Sequence, residues 1–448
     1  MSEDKKVITR FAPSPTGFLH IGNYRTAVFS YLYARQNNGE FILRIEDTDK
    51  ERSKKEYEDN IIESLQWLGL NYDHFYRQSE QLPSHKRYLD KMISDGYAYI
   101  SKEEAKDGSG VVKEIVRFKN PNKDVTFSDM IRGDITMNTT DLGDFVIARS
   151  IDEPLFHFAV VIDDMEEGVT HIIRGEDHVS NTPRQILIWE ALGKTPPRYA
   201  HLPLVLSPDR SKLSKRKGAL AISEYKSMGY LPQSLLNSMS LIGWHPSDDV
   251  DILSMGDLIE KFSIEKIQKA GAIFDQAKLD WINKEHIKNL SSEEKLDYSR
   301  KFLPEDFLGR EEYSDNKLYR ALPLIFERVT HFGELRSMAD AGELDYFFWQ
   351  PKYDPSLLAW KDEPVENSKQ HLERVLSILG TADDKKDEEY YKGLIFPYAE
   401  EVGRGSVLWP LRVSLSGLSK SPDPFTLLAL LDKDESMSRI RHAIGLIS

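Results

Sequence analysis

Residues 9–23 read Thr9-Arg10-Phe11-Ala12-Pro13-Ser14-Pro15-Thr16-Gly17-Phe18-Leu19-His20-Ile21-Gly22-Asn23 and join an apolar run to a helix-like pattern. The apolar run predicts a buried strand, so the residues between predict a strand-to-helix loop. Two prolines stiffen this loop, and Gly17 and Gly22 permit close backbone approach. A helix N-terminus offers N–H groups and a positive dipole to an anion, and His20 lies there. The stretch predicts a phosphate-binding loop, with a proline turn and a capped helix as the alternative.

A second candidate phosphate-binding segment lies far downstream at residues 207–218, where most side chains are basic or hydroxylic. Lys212 and Lys215 are three residues apart, and flexible lysine ammonium groups can follow phosphates as their geometry changes. Gly218 would help the loop to close over a ligand. A solvated charge run is the ordinary alternative for such a segment. Its pairing with residues 9–23 favours an ATP-using active site.

The sequence around the first segment predicts an open α/β fold. Strand and helix patterns alternate there, which is typical of a doubly wound, Rossmann-type parallel sheet. Such sheets bind ligands beyond the carboxyl ends of their strands, so Arg10 and Glu46 are expected to face the cleft. The predicted elements are strands 7–11 and 41–46 and helices 21–37 and 53–68.

Further along, short β-like runs between about 83 and 150 predict an insertion, after which the α/β pattern resumes. The C-terminal third reads as an all-helical bundle. There Leu318, Leu322, Ile325 and Val329 recur at helical spacing, and Asp423-Pro424 predicts a capped helix start. The resumed pattern consists of apolar runs at 156–164 and 169–178, a helix near 181–192 and a strand near 199–206, followed by mostly helical sequence from 223.

Composition limits the possible functions. The 448 residues contain no cysteine, which excludes disulfides and thiolate zinc sites. No apolar stretch is long enough to span a membrane and the N-terminus lacks a signal-peptide core, so we expect a cytoplasmic protein. The net charge of −14 argues against nucleic acid as a partner. Local basic faces can nevertheless guide an RNA while an acidic remainder repels other polyanions.

The two segments together resemble the signatures of class I aminoacyl-tRNA synthetases, and specifically of the glutamyl-tRNA synthetase family. Residues 20–23 are similar to its His-Ile-Gly-His motif, and residues 212–216 to its Lys-Met-Ser-Lys-Ser motif. Asn23, Leu213 and Arg216 depart from those motifs, and these are substitutions that glutamyl enzymes tolerate. Residues 10–17, Arg-Phe-Ala-Pro-Ser-Pro-Thr-Gly, favour glutamyl over glutaminyl enzymes, and the likeness covers essentially the whole chain.

The resemblance implies an ATP site built from both segments. His20, Gly22, Lys212 and Lys215 would be the catalytic residues, which stabilise charge on the phosphates. No zinc is expected, and Mg²⁺ would arrive with ATP, although Asp47, Asp49, Asp163 and Asp164 are candidate ligands. The implied ATP-binding residues are Ser14, Thr16, Gly17, His20, Gly22, Asn23, Lys212, Leu213, Ser214, Lys215 and Arg216.

The resemblance also implies a glutamate site. Glutamate carries two carboxylates and an ammonium, so guanidinium groups and one fixed carboxylate suit it. Arg10 and Arg174 are the candidates for a carboxylate and Glu46 for the ammonium. Relatives often have tyrosine where Phe156 stands and a polar residue where Val160 stands, so discrimination is expected to depend more heavily on the arginines. The implied glutamate-binding residues are Arg10, Ala12, Ser14, Glu46, Phe156 and Arg174.

The implied partner is tRNA(Glu), with tRNA(Gln) as a second candidate, bound by a monomer. Asp177, Arg374, Arg404 and Arg412 are candidate tRNA contacts, although for each arginine an ordinary solvated role is at least as common. The implied divisions are a catalytic domain at 1–82 and 156–222, an abbreviated acceptor-stem-binding insertion at 83–155, a helical connecting domain at 223–299 and a helical anticodon-binding domain at 300–448.

Three alternatives stay open on the sequence alone. A shortened relative that glutamylates a modified tRNA base shares the motifs, but it lacks the long helical C-terminal region. A nucleotidyltransferase with a similar histidine loop would bind no tRNA. A catalytically silent RNA-binding descendant is disfavoured by the intact His20, Gly22, Lys215, Arg10 and Glu46.

Overall fold

The structure, a computed structural model, describes residues 6–104, 112–213, 220–384 and 386–447. It divides the chain into two compact units, Met1–His286 and Ile287–Ser448. The first unit mixes strands and helices, and the second is helical. Each unit has its own buried core, so each is considered by itself.

The first unit contains all the described strands and the first helices. Its strands are β1 (Ile8–Phe11), β2 (Glu40–Ile45), β3 (His74–Arg77), β4 (Ala98–Glu104), β5 (Val112–Phe118), β6 (Asp124–Asp129), β7 (Gly133–Asn138), β8 (Phe145–Ser150), β9 (Glu153–Pro154), β10 (His171–Gly175), β11 (Arg198–Leu202), β12 (Val205–Leu206) and β13 (Ala272–Ile273). Its helices are α1 (Ile21–Gln36), α2 (Lys55–Trp67), α3 (Leu82–Ser94), α4 (Phe156–Glu166), α5 (Thr182–Ala191), α6 (Ile222–Ser227), α7 (Pro232–Ser240) and α8 (Met255–Lys261), and α9 (Gln276–Lys288) ends just beyond the unit.

Parallel strands form the centre of the first unit. The strands β1, β2 and β3 pair in that order, and β10 pairs with β11. The Thr170 N–H donates to the Ile8 carbonyl at 3.0 Å, so the start of β10 lies beside β1. The carboxyl ends of β1, β2 and β10 therefore meet along one edge, where open α/β sheets bind their ligands.

The segment between the two halves of this centre contributes to two different sheets. The strands β4, β5, β8 and β9 form a separate antiparallel sheet. The hairpin of β6 and β7 instead extends the β10–β11 sheet, because Tyr199 in β11 pairs in parallel with Asp129 at the end of β6. One turn of the inserted segment thus reaches the strands that carry the cleft.

Helix α1 is buried on most of its circumference. Ile21, Tyr24, Val28, Phe29 and Leu32 are all excluded from solvent, because α1 packs against the sheet on one side and against α7 and α8 on the other. Near its end, the N–H of Gly39 donates to the Ala34 carbonyl at 2.8 Å. A β-carbon on Gly39 would lie 2.2 Å from the Val7 carbonyl oxygen, so the close turn into β2 requires glycine.

The second unit is helical, and one of its helices starts where the sequence predicts. The predicted helix start at Asp423-Pro424 is confirmed: the Asp423 carboxylate accepts from the N–H groups of Phe425 and Thr426. No helix among the described residues is long and apolar enough to cross a membrane. The helices are α10 (Ser292–Phe302), α11 (Glu305–Leu308), α12 (Asp315–Phe326), α13 (Glu334–Asp340), α14 (Val365–Gly380), α15 (Glu388–Val402), α16 (Arg404–Ser416), α17 (Pro424–Leu430) and α18 (Lys433–Leu446).

Two glycines in this unit provide a matched test of its packing. A β-carbon on Gly405 in α16 would lie 2.3 Å from the Trp360 ring, whereas one on Gly393 in α15 meets nothing within 4 Å. We expect Gly405→Ala to destabilise the unit by about 1–3 kcal/mol, because the ring must move. Gly393→Ala should stabilise it by about 0.5–1 kcal/mol through helix propensity. Urea unfolding of both variants measures the difference, and equal effects would contradict the packing.

Candidate active site

A cleft of about 460 Å³ opens at the carboxyl edge of the parallel strands and at the N-terminus of α1. It brings together most of the residues that the sequence predicted for the site. The predicted residues that line it are Arg10, Ala12, Ser14, Thr16, His20, Gly22, Asn23, Glu46, Phe156, Arg174, Asp177, Lys212 and Leu213. Gly17 does not line it, and Ser214, Lys215 and Arg216 lie outside the described residues.

His20 caps the N-terminus of α1 with its own ring. Its Nδ1 accepts from the Gly22 N–H at 3.1 Å, and the Asn23 Oδ1 accepts in return from the His20 N–H at 3.2 Å. Because Nδ1 is an acceptor, the proton of the neutral ring lies on Nε2, the nitrogen that can donate to a phosphate oxygen. Asn23 therefore contributes a helix-capping function at its position in the motif.

Gly22 is needed for the position of that ring. A β-carbon on Gly22 would lie 3.0 Å from His20 Cε1 and 3.1 Å from Nδ1. Any larger residue would push against the imidazole and weaken the cap. The spacing of the histidine and the glycine thus has a direct steric reason.

The described part of the lysine segment also reaches the cleft. The Lys212 ammonium lies 3.5 Å from a carboxylate oxygen of Asp177, and both side chains are more than half exposed. An exposed ion pair of this kind contributes little to stability, so it leaves Lys212 able to exchange Asp177 for a phosphate. Asp177, a candidate tRNA contact, lines the same cleft.

Behind the cleft, the completely buried guanidinium of Arg44 joins strand β2 to helix α4. It donates to Asp164 Oδ1 at 2.9 Å, to Glu167 Oε2 at 2.6 Å and to Glu46 Oε1 at 3.3 Å. Asp164 Oδ1 also accepts from the Arg10 Nε–H at 3.0 Å. Arg44 and Asp164 therefore hold the two predicted ligand-binding residues, Arg10 and Glu46, in fixed positions.

Burial and the neighbouring charges shift the pKa values of the carboxylates in this cluster. Burial raises the pKa of Glu46 above its ordinary value, while Arg44 and Arg10 oppose that shift. Burial raises the pKa of Glu167 to about 7. An ammonium bound next to Glu46 would favour its ionised form.

Arg174 is a buried cation with neutral partners. Its Nε–H donates to His201 Nε2 at 3.2 Å, its Nη2 donates to Thr182 Oγ1 at 2.7 Å, and its guanidinium lies over the Tyr199 ring. Among the described residues, no carboxylate lies within ion-pair distance of Arg174. Burial lowers its pKa to about 10, so it stays charged at neutral pH. Such a group favours binding of an anion.

An aromatic wall adjoins Arg174. The Phe156 ring lies between His157 and His178, with centroid distances of 5.6 and 5.7 Å. Burial lowers the pKa of both histidines to about 4, and the nearby Arg174 charge adds to the shift, so both rings are neutral at pH 7. Together with Val160, this wall brings no further charge to the cleft.

The aspartates considered as Mg²⁺ ligands are each occupied by a protein partner. Asp163 pairs with His85 and Gln78, Asp164 with the two arginines, Asp47 with Ser79 and Asp49 with Arg52. Within the described part of the chain, no group of three or more potential metal ligands converges.

Comparison with known proteins supplies the family. The family model of the class I tRNA synthetase (E and Q) catalytic domain matches residues 6–107 and 100–281, and the anticodon-binding domain model matches 294–444. The chain is 40% identical to the glutamate–tRNA ligase of Aquifex aeolicus, across 99% of this chain and 100% of that protein. This chain belongs to the glutamate–tRNA ligase family.

A second relative and a solved structure support the same family. The glutamate–tRNA ligase of Carboxydothermus hydrogenoformans is 37% identical across 97% of this chain and 99% of its own length. The crystal structure of a glutamate tRNA ligase from Elizabethkingia meningosepticum in complex with its amino acid superposes with a TM-score of 0.87. It is 32% identical and covers 99% of this chain and 100% of that chain. The predicted class I fold with a helical C-terminal part is confirmed.

The remaining candidate tRNA contacts of this family member lie in the second unit. The guanidinium groups of Arg374, Arg404 and Arg412 lie over the rings of Tyr398, Phe396 and Trp409. Arg404 also pairs with Glu400, and Arg412 donates to the Ser419 carbonyl. Stacking on an aromatic ring orients an arginine without neutralising it, and the Arg404–Glu400 pair is an exposed one, so these residues stay candidates for phosphate contacts.

Sequence reasoning missed the residues that support the site. Arg44 could have been noticed as a charge between the apolar residues Leu43 and Ile45 of a predicted buried strand, where a charge requires a partner. His201 and Thr182 gave no comparable signal. Their role depends on contacts with Arg174, which are formed only when the strands and helix α5 come together.

The buried cluster predicts a large loss of stability when its central cation is removed. Arg44→Met should lower the free energy of unfolding of the first unit by about 3–5 kcal/mol, because Asp164, Glu167 and Glu46 lose their shared counter-ion. Arg52→Met is the matched control, since Arg52 is exposed and Asp49 is its one ion-pair partner among the residues that the structure describes. Urea unfolding of both variants makes the comparison, and a neutral Arg44→Met would contradict the role of the cluster.

Proposed function

We propose that this chain ligates L-glutamate to the 3′-terminal adenosine of tRNA(Glu), with ATP as the energy source. The observation that carries the proposal is the single cleft in which His20 and Lys212 lie together with Arg10, Arg174 and Glu46. The first pair suits phosphates, and the second set suits an amino acid with a second carboxylate. Membership of the glutamate–tRNA ligase family supports the same assignment.

Glutamate binds through complementary charge. The Nη groups of Arg10 make no hydrogen bond within the described part of the chain, and Arg174 has neutral partners only. Both guanidinium groups can therefore pair with substrate carboxylate oxygens, while Glu46 accepts from the substrate ammonium. Glutamine presents a neutral amide to the arginines, so it would leave Arg174 without a counter-ion and bind less well.

The first step forms glutamyl-adenylate. An α-carboxylate oxygen of glutamate attacks the α-phosphorus of ATP in line, and the bond to the β-phosphate oxygen breaks to release pyrophosphate. His20 Nε2–H, the positive end of the α1 dipole and Lys212 stabilise the charge that develops on the phosphates. Lys215 joins them by the resemblance of its motif. Mg²⁺ enters with ATP through phosphate oxygens and water.

The second step transfers the amino acid. A ribose hydroxyl of the terminal adenosine attacks the carbonyl carbon of the mixed anhydride, and AMP leaves. Arg374, Arg404 and Arg412 are proposed contacts of the tRNA. The anticodon-binding model over residues 294–444 favours this reading over a shortened relative that modifies a tRNA base, because such an enzyme lacks that part.

Aminoacylation with radiolabelled glutamate tests the function directly. Purified tRNA(Glu) and tRNA(Gln) are charged in parallel, and pyrophosphate exchange is measured with and without tRNA. Charging of tRNA(Glu) supports the proposal. Charging of both would extend the partner to tRNA(Gln), and charging of neither would overturn the proposal in favour of a nucleotidyltransferase or a silent RNA-binding protein.

The capping geometry separates the structural and chemical roles of His20. In His20→Asn the Oδ1 can still accept from the Gly22 N–H, because asparagine is a good N-cap, but no donor replaces Nε2–H. We expect glutamyl-adenylate formation to fall by about 100-fold while the unfolding midpoint stays unchanged. Single-turnover assays and thermal unfolding measure the two effects. His74→Asn, at an exposed histidine, is the control, and a rate within a few-fold of wild type would contradict the assignment.

A further inference from the structure

The turn that follows strand β6 carries a carboxylate to the back of the glutamate site. Asp129 is buried, its Oδ1 accepts from the N–H groups of Ile131 and Arg132 at 3.0 and 2.9 Å, and its Oδ2 faces His201. Oδ2 accepts from the His201 N–H at 3.0 Å and lies 2.6 Å from the ring Nδ1. Both carboxylate oxygens of Asp129 are therefore acceptors, and neither tolerates a donor in its place.

This arrangement fixes the tautomer of His201. The Asp129 carboxylate can only accept, so the ring proton lies on Nδ1 and Nε2 carries the lone pair. Burial lowers the pKa of His201 below its ordinary value, which keeps the ring neutral although Asp129 opposes that shift. Nε2 is thus an acceptor. It lies 3.2 Å from Arg174 Nε, which donates to it, and 3.0 Å from the Thr182 hydroxyl oxygen.

We propose that Asp129 and His201 are positioning residues that set the orientation of the Arg174 guanidinium, and through it the affinity for glutamate. The chain runs from the Asp129 carboxylate through the Nδ1–H and Nε2 of His201 to the Nε–H of Arg174. Thr182 Oγ1 holds Nη2 of the same guanidinium at 2.7 Å. With Nε and Nη2 held, the guanidinium plane is fixed, and bidentate pairing with a carboxylate depends on that plane.

The same turn holds neighbouring residues of the cleft wall. Arg132 donates through Nε to the His201 carbonyl at 3.2 Å and forms an ion pair with Glu176. Glu176 in turn accepts from the Leu204 N–H at 2.8 Å. Residues 129–132 lie in the inserted segment, so this segment contributes directly to the amino-acid site. The proposal rests on the proposed function only in taking glutamate as the ligand of Arg174.

Asp129→Asn is the most direct test. The asparagine can keep one oxygen for the turn amides, but its NH₂ group then faces Nδ1, so His201 must take the other tautomer with its proton on Nε2. The Nε2 proton would then face the Arg174 Nε–H, and because both groups are donors, their hydrogen bond would be lost. We expect the KM for glutamate to rise by about tenfold or more while the KM for ATP changes less than twofold, since one hydrogen bond to a charged group is lost. Asp134→Asn, an exposed aspartate in the adjoining strand, is the matched control.

A second variant separates positioning from simple structural support. His201→Gln places an amide near the Nε2 position and removes the imidazole ring, so Asp129 no longer has a tautomer to select. In this background Asp129→Asn should add much less to the KM for glutamate than it does in wild type, because the chain acts through the imidazole. Equal effects of Asp129→Asn in both backgrounds would show a structural role of the turn and would overturn the proposal.

The tautomer itself gives a readout that does not depend on activity. ¹⁵N-histidine labelling of the full chain, with His201→Gln used to assign the signals, should show Nδ1 protonated in wild type and Nε2 protonated in Asp129→Asn. An unchanged tautomer, or an unchanged KM for glutamate in a folded Asp129→Asn enzyme, would overturn the proposal. Absence of glutamate activity in wild type would instead overturn the proposed function, so the two failures are distinguishable.

Discussion

The buried guanidinium of Arg44 is the interaction on which the amino-acid site depends. It lies among Glu46, Asp164 and Glu167, and it joins the second parallel strand to helix α4. Because Asp164 is shared with Arg10, the same cluster holds a cation and an anion at the edge of the cleft. Such groups are costly to bury one by one, and mutual pairing is what makes their burial acceptable. The cluster thus gives the site rigid charges before any ligand arrives.

One side of the cleft carries the fixed Glu46 carboxylate, and the other side carries the Arg174 cation, which has no carboxylate partner within the described part of the chain. Glu46 suits an ammonium, whereas the partners of Arg174 among the described residues are all neutral: His201, Thr182, the His178 carbonyl and the Tyr199 ring. A ligand with an ammonium and a second carboxylate satisfies both ends at once, which is the charge pattern of glutamate. The His20 cap places the phosphate chemistry beside this pair.

The sequence predicted those parts of the protein that are encoded locally. The strand-to-helix stretch at 7–37 and the Asp423 cap are each defined by neighbouring residues, and the structure agrees with them. Arg44 and Asp164 are 120 positions apart and Asp129 and His201 are 72 apart, so their pairing has no local signal. The β6–β7 hairpin likewise reads as part of the insertion, yet its strand pairs with β11. These contacts form between segments that are distant in the sequence, and a local sequence pattern carries no information about which segments will meet.

A crystal structure of the protein with a non-hydrolysable sulfamoyl analogue of glutamyl-adenylate would show whether the charged site is formed before the ligand binds. We expect the γ-carboxylate to lie within about 3 Å of the Arg174 guanidinium, with the ammonium at a similar distance from Glu46. Arg44, Asp164 and Arg10 should keep their present contacts. A γ-carboxylate bound away from Arg174, or a cluster that rearranges to receive the ligand, would contradict a preformed charge-complementary site.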